Sequence, residues 1–414
     1  MLRGKPYNPT VLTEIDILIV GAGPAGSALA YFLASAGFSV RLLDKAQFPR
    51  DKTCGDGLSP RALQVLKNIG ALEAVNAAGF RIASLRLFSP NGQSFSAPIL
   101  PHKNLPGHAL VLPRFQLDEI IRQRALAAGA EFEQQNVSGL MEAASGVVGV
   151  SAGGNSGAPV NYRARVTVLA TGASTALLER AGLLPTSFTA EGRAARAYFE
   201  NVRGLMDEVE FHFDSVPLPG YGWVFPTSPT TANVGAGYVV RNGRGPQNTP
   251  RQTLEGFMAN PYVSKMLAEA RPATSIKGFP LRFDFATAPT AKPGLFLVGE
   301  ACGLVNPLTG EGVDYALESA EIAAEIITDA LRHNTPPPHT AHTYTRALRQ
   351  KFLHLFTTIR RVRDLYLQPW VLNRFVRAAQ KNDELKMRLV NIALGVADPL
   401  HAVSPKTLWQ VAVG

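Results

Sequence analysis

The feature that most constrains this chain is a glycine-rich turn, Gly21–Gly26, between an apolar run at 15–20 and a helix-like stretch at 27–36. A second strand-like run follows at 39–43, and Asp44 ends it about 20 residues beyond the glycines. This order of strand, turn, helix, strand and carboxylate is typical of a dinucleotide-binding βαβ unit. Its glycines permit close backbone approach, and the helix N-terminus faces a pyrophosphate. The pattern predicts a Rossmann-type fold in which Asp44 binds a ribose hydroxyl.

A second glycine-rich segment, 299–312, lies near the other end of the chain and follows another apolar run, 295–298. Because the two segments lie so far apart in sequence, we infer that one cofactor is held from both ends, and we interpret it as FAD. A second G-x-G-x-x-G for a nicotinamide cofactor is not found, which leaves the electron donor open. The residues assigned to FAD from the first pattern are Gly21, Gly23, Pro24, Ala25, Gly26, Asp44 and Lys45.

Length and charge limit the classes of protein that this chain can belong to. Its 414 residues exceed one ordinary core, so two domains, or one domain with a large insertion, are expected. Residues 341–390 hold eleven Lys and Arg against three Asp and Glu, which is +8 of the net +9. The remainder is nearly neutral, which argues against a nucleic-acid partner. Cys54 and Cys302 form neither a disulfide framework nor a paired metal motif, so we expect a cytoplasmic protein without a metal site.

The stretch 15–38 is apolar enough to be considered as a membrane span, and two basic residues precede it, as in a signal peptide. Asp16 and the glycine turn within it favour the buried βαβ unit instead. We find no other transmembrane candidate. An unstructured leader is expected at 1–13 and a turn at 153–157.

Changes in pattern along the chain predict its domain organisation. An FAD-binding domain is expected at 14–189, with a small strand excursion at 81–112. Short alternating segments at 190–285 indicate an antiparallel-sheet substrate domain. The chain then returns to the FAD-binding domain at 286–334 and ends in a helical region at 339–414.

Four segments resemble those of the FAD-dependent geranylgeranyl reductases: the GAGPAG turn, PRDKTCGDGL at 49–58, PGYGWVFP at 219–226 and NPLTGEGVDY at 306–315. The first and last are shared with flavin monooxygenases and halogenases of the same fold, whereas the middle two are more particular. The Cys-Gly-Asp-Gly form is similar to the bacterial branch that contains the menaquinone reductases. The resemblance extends over about 14–330, and more loosely beyond.

This resemblance implies an α/β fold of the para-hydroxybenzoate-hydroxylase class. A Rossmann-type FAD domain would be interrupted by an antiparallel-sheet substrate domain and followed by C-terminal helices. Glu300 stands where the family usually has aspartate, and Thr171-Gly172 stands where Ala-Asp-Gly is common. Arg114 begins a predicted helix, where a cation needs an outside partner such as phosphate. The further flavin contacts implied are Lys52, Cys54, Gly55, Arg114, Thr171, Gly172, Gly299, Glu300, Gly310, Gly312 and Val313.

Tyr221 and Trp223 are separated by one residue in a predicted strand, so both point to one face of a sheet. Paired aromatic rings on one face can line an apolar slot, and the resemblance implies that this slot holds a prenyl chain. The alternative is that the two rings pack in the core of a small sheet.

The resemblance implies reduction of isolated double bonds in a polyprenyl group. FAD would be reduced by NAD(P)H or another donor, and the flavin would then deliver a hydride. Because an unactivated alkene accepts hydride poorly, an acid must supply a proton. Cys54, Asp56 and an ordered water remain open as this acid. Cys54 lies beside Lys52 and glycines, a setting that can expose a thiol and lower its pKa, whereas Cys302 is expected to serve packing.

Two other functions stay open: an FAD-dependent monooxygenase or halogenase, and a flavin-binding electron carrier without substrate turnover. The prenyl substrate is also open among geranylgeranyl diphosphate, a chlorophyll tail, an archaeal-type lipid and menaquinone. The basic region 341–390 predicts peripheral association with an anionic membrane, with a helix packed on the protein body as the alternative. Its apolar residues at helical spacing are Leu348, Phe352, Leu355, Phe356, Ile359 and Val362.

Overall fold

The computed structural model describes residues 15–153, 159–240, 243, 245–397, 400–401 and 404–413. The leader expected at 1–13 lies outside these residues, as does the turn expected at 153–157 apart from Gly153.

The strands, in chain order, are β1 (Ile15–Val20), β2 (Val40–Asp44), β3 (Gly57–Leu58), β4 (Phe80–Ile82), β5 (Ser84–Phe88), β6 (Ser94–Pro98), β7 (Ala109–Val111), β8 (Glu131–Gln134), β9 (Val137–Ala143), β10 (Gly146–Gly153), β11 (Pro159–Leu169), β12 (Gly192–Glu200), β13 (Glu208–His212), β14 (Gly220–Pro226), β15 (Thr231–Val239), β16 (Arg271–Pro272), β17 (Lys277–Leu281), β18 (Ala291–Lys292) and β19 (Leu295–Leu297). The α-helices are α1 (Pro24–Ser35), α2 (Pro60–Asn68), α3 (Leu72–Ala78), α4 (Arg114–Ala127), α5 (Ala176–Arg180), α6 (Pro250–Met258), α7 (Pro261–Met266), α8 (Val313–Arg332), α9 (Pro337–Tyr366), α10 (Pro369–Lys381), α11 (Asp383–Ala393) and α12 (Pro405–Val413), and a short 3₁₀ helix spans Gly299–Cys302.

The first sheet has the strand order β18-β19-β11-β1-β2-β8. Its strands from β19 to β8 are parallel, β18 is antiparallel, and the hairpin β9–β10 extends it through β11. Strand β1 is covered on both faces, with Ile17, Leu18 and Ile19 fully buried, which is why it is a continuous apolar run. The carboxyl ends of β1, β2 and β11 meet at one edge, which Gly21 and Asp44 occupy.

Helix α1 begins directly after the glycine turn, with Pro24 in its first turn, where a missing N–H is tolerated. It packs against α4 and α8. Helix α9 lies against α8 and β18.

The stripe residues Leu348, Phe352 and Phe356 of α9 lie in this core and do not contact a membrane, whereas peripheral membrane association of the protein stays a prediction. Phe352 and Phe356 pack edge-on against Phe285 and Tyr315. The stripe residues that are buried are Leu348, Phe352, Phe356 and Ile359.

The second sheet has the order β16-β12-β15-β14-β13-β5-β6, with β17 also pairing with β12. Its pairings are antiparallel except for β13 with β5. The strands expected as an excursion at 81–112 therefore divide: β5 and β6 complete the second sheet, while β4 and β7 form a three-stranded sheet with β3. Two segments far apart in sequence thus build the second sheet.

Helices cover parts of both faces of the second sheet. Helix α6 packs on β12 and β15, and α10 and α11 pack on β6. The core on the α10 and α11 side contains Trp223 and Phe225 together with Val376 and Leu394. Within the described residues, no helix combines the length and the apolar character that crossing a membrane requires.

Candidate active site

The glycine turn approaches the first sheet so closely that side chains are excluded. Gly21 has a φ of +109°, and a Cβ there would lie 2.3 Å from the carbonyl oxygen of Ala170. A Cβ on Gly26 would lie 1.9 Å from the carbonyl oxygen of Gly21. The Ala22 N–H donates to Asp44 Oδ2 at 2.8 Å, which fixes this carboxylate beside the turn. The turn and the carboxylate therefore form one prearranged unit, as a dinucleotide site requires.

Gly23 faces two guanidinium groups across open space. Nη2 of Arg50 and Nη2 of Arg114 lie 3.6 and 3.8 Å from the position that a Cβ on Gly23 would take. Asp118 pairs with both cations: Arg114 donates hydrogen bonds to it from Nε and Nη2 at 2.6 and 2.8 Å, and Arg50 Nη1 forms an ion pair with it at 2.9 Å. Burial lowers the pKa of Arg114, but the Asp118 carboxylate outweighs it and raises that pKa above its ordinary value. Two fixed cations beside the Gly23 backbone, which lines the cavity, fit a pyrophosphate.

The sequence alone did not single out Arg50 or Asp118. Arg50 stands in the 49–58 segment, two residues before Lys52. Asp118 follows Arg114 by four residues on α4, the spacing at which helix side chains pair, and this spacing could have identified it.

The segment 299–312 lies directly against the glycine turn. Gly299 has a φ of +62°, and a Cβ there would meet the Cβ atoms of Ala25 and Ala316 at 3.2 Å. Its N–H donates to Ser319 Oγ at 2.9 Å, which ties the segment to α8. Gly312 precedes the first residue of α8, so the positive end of that helix dipole lies at the site.

Glu300, on the 3₁₀ helix of this segment, is fixed by the backbone N–H of Arg282, which donates to its Oε1 at 3.1 Å. Burial raises the pKa of Glu300, and the positive charge of Lys52 counteracts part of that rise. Burial also favours the neutral form of Lys52 and so lowers its pKa. The Nζ of Lys52 lies 3.9 Å from the centre of the Phe279 ring. Lys52 and Glu300, which were each predicted as flavin contacts, thus lie near enough to influence each other's charge.

The glycine turn, the 299–312 segment and the second sheet line one cavity of about 560 Å³. Gly26 and Gly299 do not line it and instead allow close packing behind its wall. The predicted site residues that line it are Gly21, Gly23, Pro24, Ala25, Asp44, Lys45, Lys52, Cys54, Gly55, Asp56, Arg114, Thr171, Gly172, Tyr221, Trp223, Glu300, Gly310, Gly312 and Val313.

The loop Cys54–Gly57 lies between the glycine-segment side of this cavity and the second sheet. Asn233 on β15 donates from Nδ2 to the Cys54 carbonyl and to Asp56 Oδ2, both at 2.7 Å. A Cβ on Gly55 would lie 3.3 Å from Phe225 and 3.6 Å from Trp223 Nε1, so the loop backbone rests on the aromatic wall. The position of this loop is set by the second sheet rather than by its own sequence.

Asp56 is a buried carboxyl with one engaged and one unpaired oxygen. Its side chain is 1% exposed, and its backbone adopts a φ of +67°. Oδ2 accepts hydrogen bonds from the Tyr198 hydroxyl and from Asn233, whereas Oδ1 has no partner within the described residues. Burial raises the pKa of Asp56 to about 6, although the two hydrogen bonds and the charge of Arg196 lower it. A proton on Asp56 is therefore carried by Oδ1.

Tyr221 and Trp223 lie on the same face of β14, as their spacing predicted, and Phe225 and Phe211 extend this aromatic wall. The Tyr221 hydroxyl donates to the Thr309 carbonyl, and Trp223 Nε1 donates to Asn233 Oδ1 at 3.0 Å. Because these polar atoms already have partners, the rings present apolar surface to the cavity.

Glu311 also lines the cavity, and the sequence alone did not single it out. Burial raises its pKa well above the ordinary value, and the neighbouring Asp314 carboxylate raises it further. Asp314 accepts a hydrogen bond from Ser59 Oγ at 2.8 Å. Cys302 is fully buried, and burial raises its pKa to about 12, which suits its expected packing role. Within the described residues, no cluster of three or more His, Cys, Asp or Glu could hold a metal.

Comparison with known proteins identifies the family. Residues 14–351 match the model of an FAD-binding domain. The menaquinone reductase of Mycolicibacterium smegmatis is 33% identical over 76% of this chain and 77% of its own length. Digeranylgeranylglycerophospholipid reductase 1 of Methanopyrus kandleri is 31% identical over 85% of this chain and 90% of its own length. The chain belongs to the FAD-dependent geranylgeranyl reductase family.

Solved structures support the fold of this geranylgeranyl reductase family member. A geranylgeranyl bacteriochlorophyll reductase-like protein from Thermoplasma acidophilum has a TM-score of 0.77 at 23% identity, covering 89% of this chain and 92% of that one. A flavin-dependent brominase has a TM-score of 0.77 at 21% identity, covering 97% and 98%. The expected fold class and the expected FAD are confirmed, and the protein is an FAD-dependent oxidoreductase.

Proposed function

We propose that this flavoenzyme reduces isolated carbon–carbon double bonds in a polyprenyl chain. The observation that carries the proposal is that the flavin segments and the aromatic wall line one cavity, with the Cys54–Gly57 loop between them. Apolar ring faces at Tyr221 and Trp223 suit a hydrocarbon chain, which offers no hydrogen bonds. The names of the relatives, which are reductases of menaquinone and of a digeranylgeranyl lipid, support the same substrate class.

The FAD site is formed by residues of both glycine segments. The glycine turn, Arg50 and Arg114 would hold the pyrophosphate of FAD, and Asp44 would bind a ribose hydroxyl. Gly312 and Val313 at the α8 N-terminus would contact the flavin ring, and the helix dipole there would stabilise negative charge on it. When bound and reduced, FAD supplies the hydride, and NAD(P)H or another donor restores its electrons.

The protein supplies the proton that an unactivated alkene needs. Asp56 holds it at Oδ1, because Oδ2 already accepts two hydrogen bonds. A pKa of about 6 keeps part of the Asp56 population protonated near neutral pH, which suits a general acid. Cys54 lines the cavity two residues away and is the second candidate donor. The aromatic wall excludes water from the reacting bond.

A polyprenyl substrate is stored in lipid, so the proposal includes peripheral association with the cytoplasmic face of a membrane. Within the described residues, the basic C-terminal helices still expose large apolar side chains, of which Leu365 is 50% and Trp370 is 61% exposed.

Anaerobic incubation of the chemically reduced holoenzyme with menaquinone, geranylgeranyl diphosphate or an archaeal-type lipid tests the proposal. We expect flavin reoxidation and a product heavier by two mass units per reduced bond, as mass spectrometry measures. A product that gains an oxygen atom or a halogen in air would instead support the oxygenase or halogenase function, which the brominase fold allows. Bound FAD without any product would indicate an electron carrier.

A further inference from the structure

Helix α10 has one apolar and one cationic face. Its buried residues include Val371, Leu372, Phe375 and Val376, and Val376 belongs to the apolar core on this side of the second sheet. Its exposed side chains recur at helical spacing on the opposite face: Trp370, Arg374, Arg377 and Lys381. The helix contains no Asp or Glu, and within the described residues Arg374 and Arg377 make no ion pair. This outer face is therefore positively charged and ends in a tryptophan.

Two large apolar side chains flank the turn between α9 and α10. Leu365 is 50% exposed and Trp370 is 61% exposed, whereas Trp223 in the cavity is 7% exposed. The carboxylate in this turn, Asp364, pairs with Arg363 Nε at 3.0 Å. Tryptophan beside arginine on a protein surface matches the interface of an anionic bilayer, where the indole enters the headgroup region and the arginines meet phosphates.

The same turn also forms part of the cavity wall. Leu367, between the two exposed residues, is 5% exposed and lines the cavity together with Arg363. On α11, Ala393 and Leu394 line it as well. The outer side of the turn therefore exposes apolar side chains, while its inner side contacts the space assigned to the substrate.

The geometry points to a membrane-docking face made of Leu365, Trp370, Arg374, Arg377 and Lys381. This face binds an anionic bilayer and brings the α9–α10 turn to the lipid surface, so that a prenyl chain passes into the cavity without crossing water. The role given to the docking face rests on the proposed polyprenyl substrate. Binding to the bilayer depends only on the exposed side chains of the face. A second copy of the chain does not fit as the partner of this docking face, because two such cationic faces repel each other.

Vesicle sedimentation with the full-length holoenzyme tests this face. Vesicles of phosphatidylcholine alone are compared with vesicles of equal parts phosphatidylcholine and phosphatidylglycerol. We expect binding to the anionic vesicles, weakened by salt, and a loss of at least about tenfold in the Arg374→Glu/Arg377→Glu variant. The matched control is Arg163→Glu, which reverses an exposed arginine on β11 and should bind like the parent. Equal binding by parent and double variant would overturn the inference.

A second measurement covers the case in which the double variant fails to fold. In a Trp409→Phe background, brominated anionic lipid should quench the fluorescence of Trp370 but not that of the cavity residue Trp223. If brominated lipid left the Trp370 fluorescence unchanged, the inference would also be overturned. This would hold even if the same face bound an acidic protein.

Turnover separates this inference from the proposed function. The double variant should reduce a dispersed short-chain prenyl substrate at the parental rate, but reduce a substrate embedded in anionic vesicles at least about tenfold more slowly. If neither protein reduces any prenyl substrate while vesicle binding still depends on Arg374 and Arg377, the proposed function fails and the docking face stands. Equal rates on embedded substrate would overturn the docking face and leave the proposed function intact.

Discussion

Asn233 lies 2.7 Å from the carboxylate of Asp56, although the two residues are 177 positions apart and belong to different parts of the fold. Asn233 is fully buried on β15 of the second sheet, whereas Asp56 lies in the loop that borders the flavin segments. This contact couples the substrate-side sheet to the proposed proton donor. It also holds Oδ2, which leaves Oδ1 as the oxygen that carries the proton.

Asp56→Asn should abolish most alkene reduction and leave the fold intact. The asparagine Oδ1 can accept both existing hydrogen bonds, and asparagine tolerates the φ of +67° at this position. Loss of a positioned acid typically costs about 10²–10⁴-fold in rate. Single-turnover reoxidation of reduced flavin by substrate, measured without oxygen, reports this step. A rate within about threefold of the parent would remove Asp56 from the mechanism.

The pH dependence of that single turnover should follow the protonation of Asp56. Because burial raises its pKa to about 6, the acid form predominates below pH 6 and the rate should fall about tenfold per pH unit above it. The Asp56→Asn variant should lack this limb of the profile. A parental profile that is flat between pH 5 and 8 would contradict the assignment.

The same shift predicts a change in stability with pH. A carboxyl whose pKa is higher in the folded state contributes stability at low pH, which is lost as the pH rises through the folded-state pKa. For Asp56, the rise from 3.8 to about 6 corresponds to about 3 kcal/mol of unfolding free energy lost between about pH 4 and 6. Urea titrations of the parent and of Asp56→Asn should therefore differ by more at pH 8 than at pH 4, with the variant relatively more stable at pH 8.

Cys54→Ala separates a catalytic thiol from a contact residue. If Cys54 donates the proton, the variant should keep FAD and lose about 10²–10⁴-fold in single-turnover rate. Retained FAD is expected because the glycine turn, Asp44 and Glu300 remain. Cys302→Ala is the control, since that side chain is buried away from the cavity and should change the rate little. Turnover of Cys54→Ala within about threefold of the parent would leave Asp56 or water as the acid.

Gly23→Val should abolish FAD binding, because the new side chain would occupy the space between the turn and the guanidinium groups of Arg50 and Arg114. Absorbance of the purified protein near the flavin bands measures occupancy. The matched control is Gly139→Val on β9, where an added Cβ meets no atom within 4 Å. Full FAD occupancy in Gly23→Val would contradict the assignment of this turn to the pyrophosphate.

Arg50→Gln tests a residue that only the structure assigned to the cofactor. Removing one of two cations at the pyrophosphate should weaken FAD binding by about 1.5–3 kcal/mol, the range for a hydrogen bond to a charged group. Arg163→Gln, a surface substitution on β11, should not alter the dissociation constant. Isothermal titration of the apoprotein with FAD measures both, and equal affinities would exclude Arg50 from the site.

Features that depend on local geometry could be predicted from the amino-acid sequence. The glycine spacing and Asp44 specified the βαβ unit and its cofactor, because a tight turn between a buried strand and a helix leaves few other structures. The alternation of Tyr221 and Trp223 placed both rings on one face, since side chains in a strand alternate with a period of two. The particular Cys-Gly and Tyr-x-Trp segments indicated the family that the comparisons then identified.

Features that depend on contacts between residues distant in sequence could not be predicted in this way and became visible in the folded chain. The spacing of the α9 stripe was equally compatible with a membrane and with a core, and packing against Phe285 and Tyr315 buried it. Strand β5 joins the second sheet through β13, a pairing that local pattern does not encode. The raised pKa of Asp56 likewise arises from its burial in the folded chain, which outweighs the lowering effect of the hydrogen bonds from Tyr198 and Asn233. Such long-range contacts determine how far a side chain is removed from water and which charges surround it. These two quantities make the loop residue Asp56 a candidate acid.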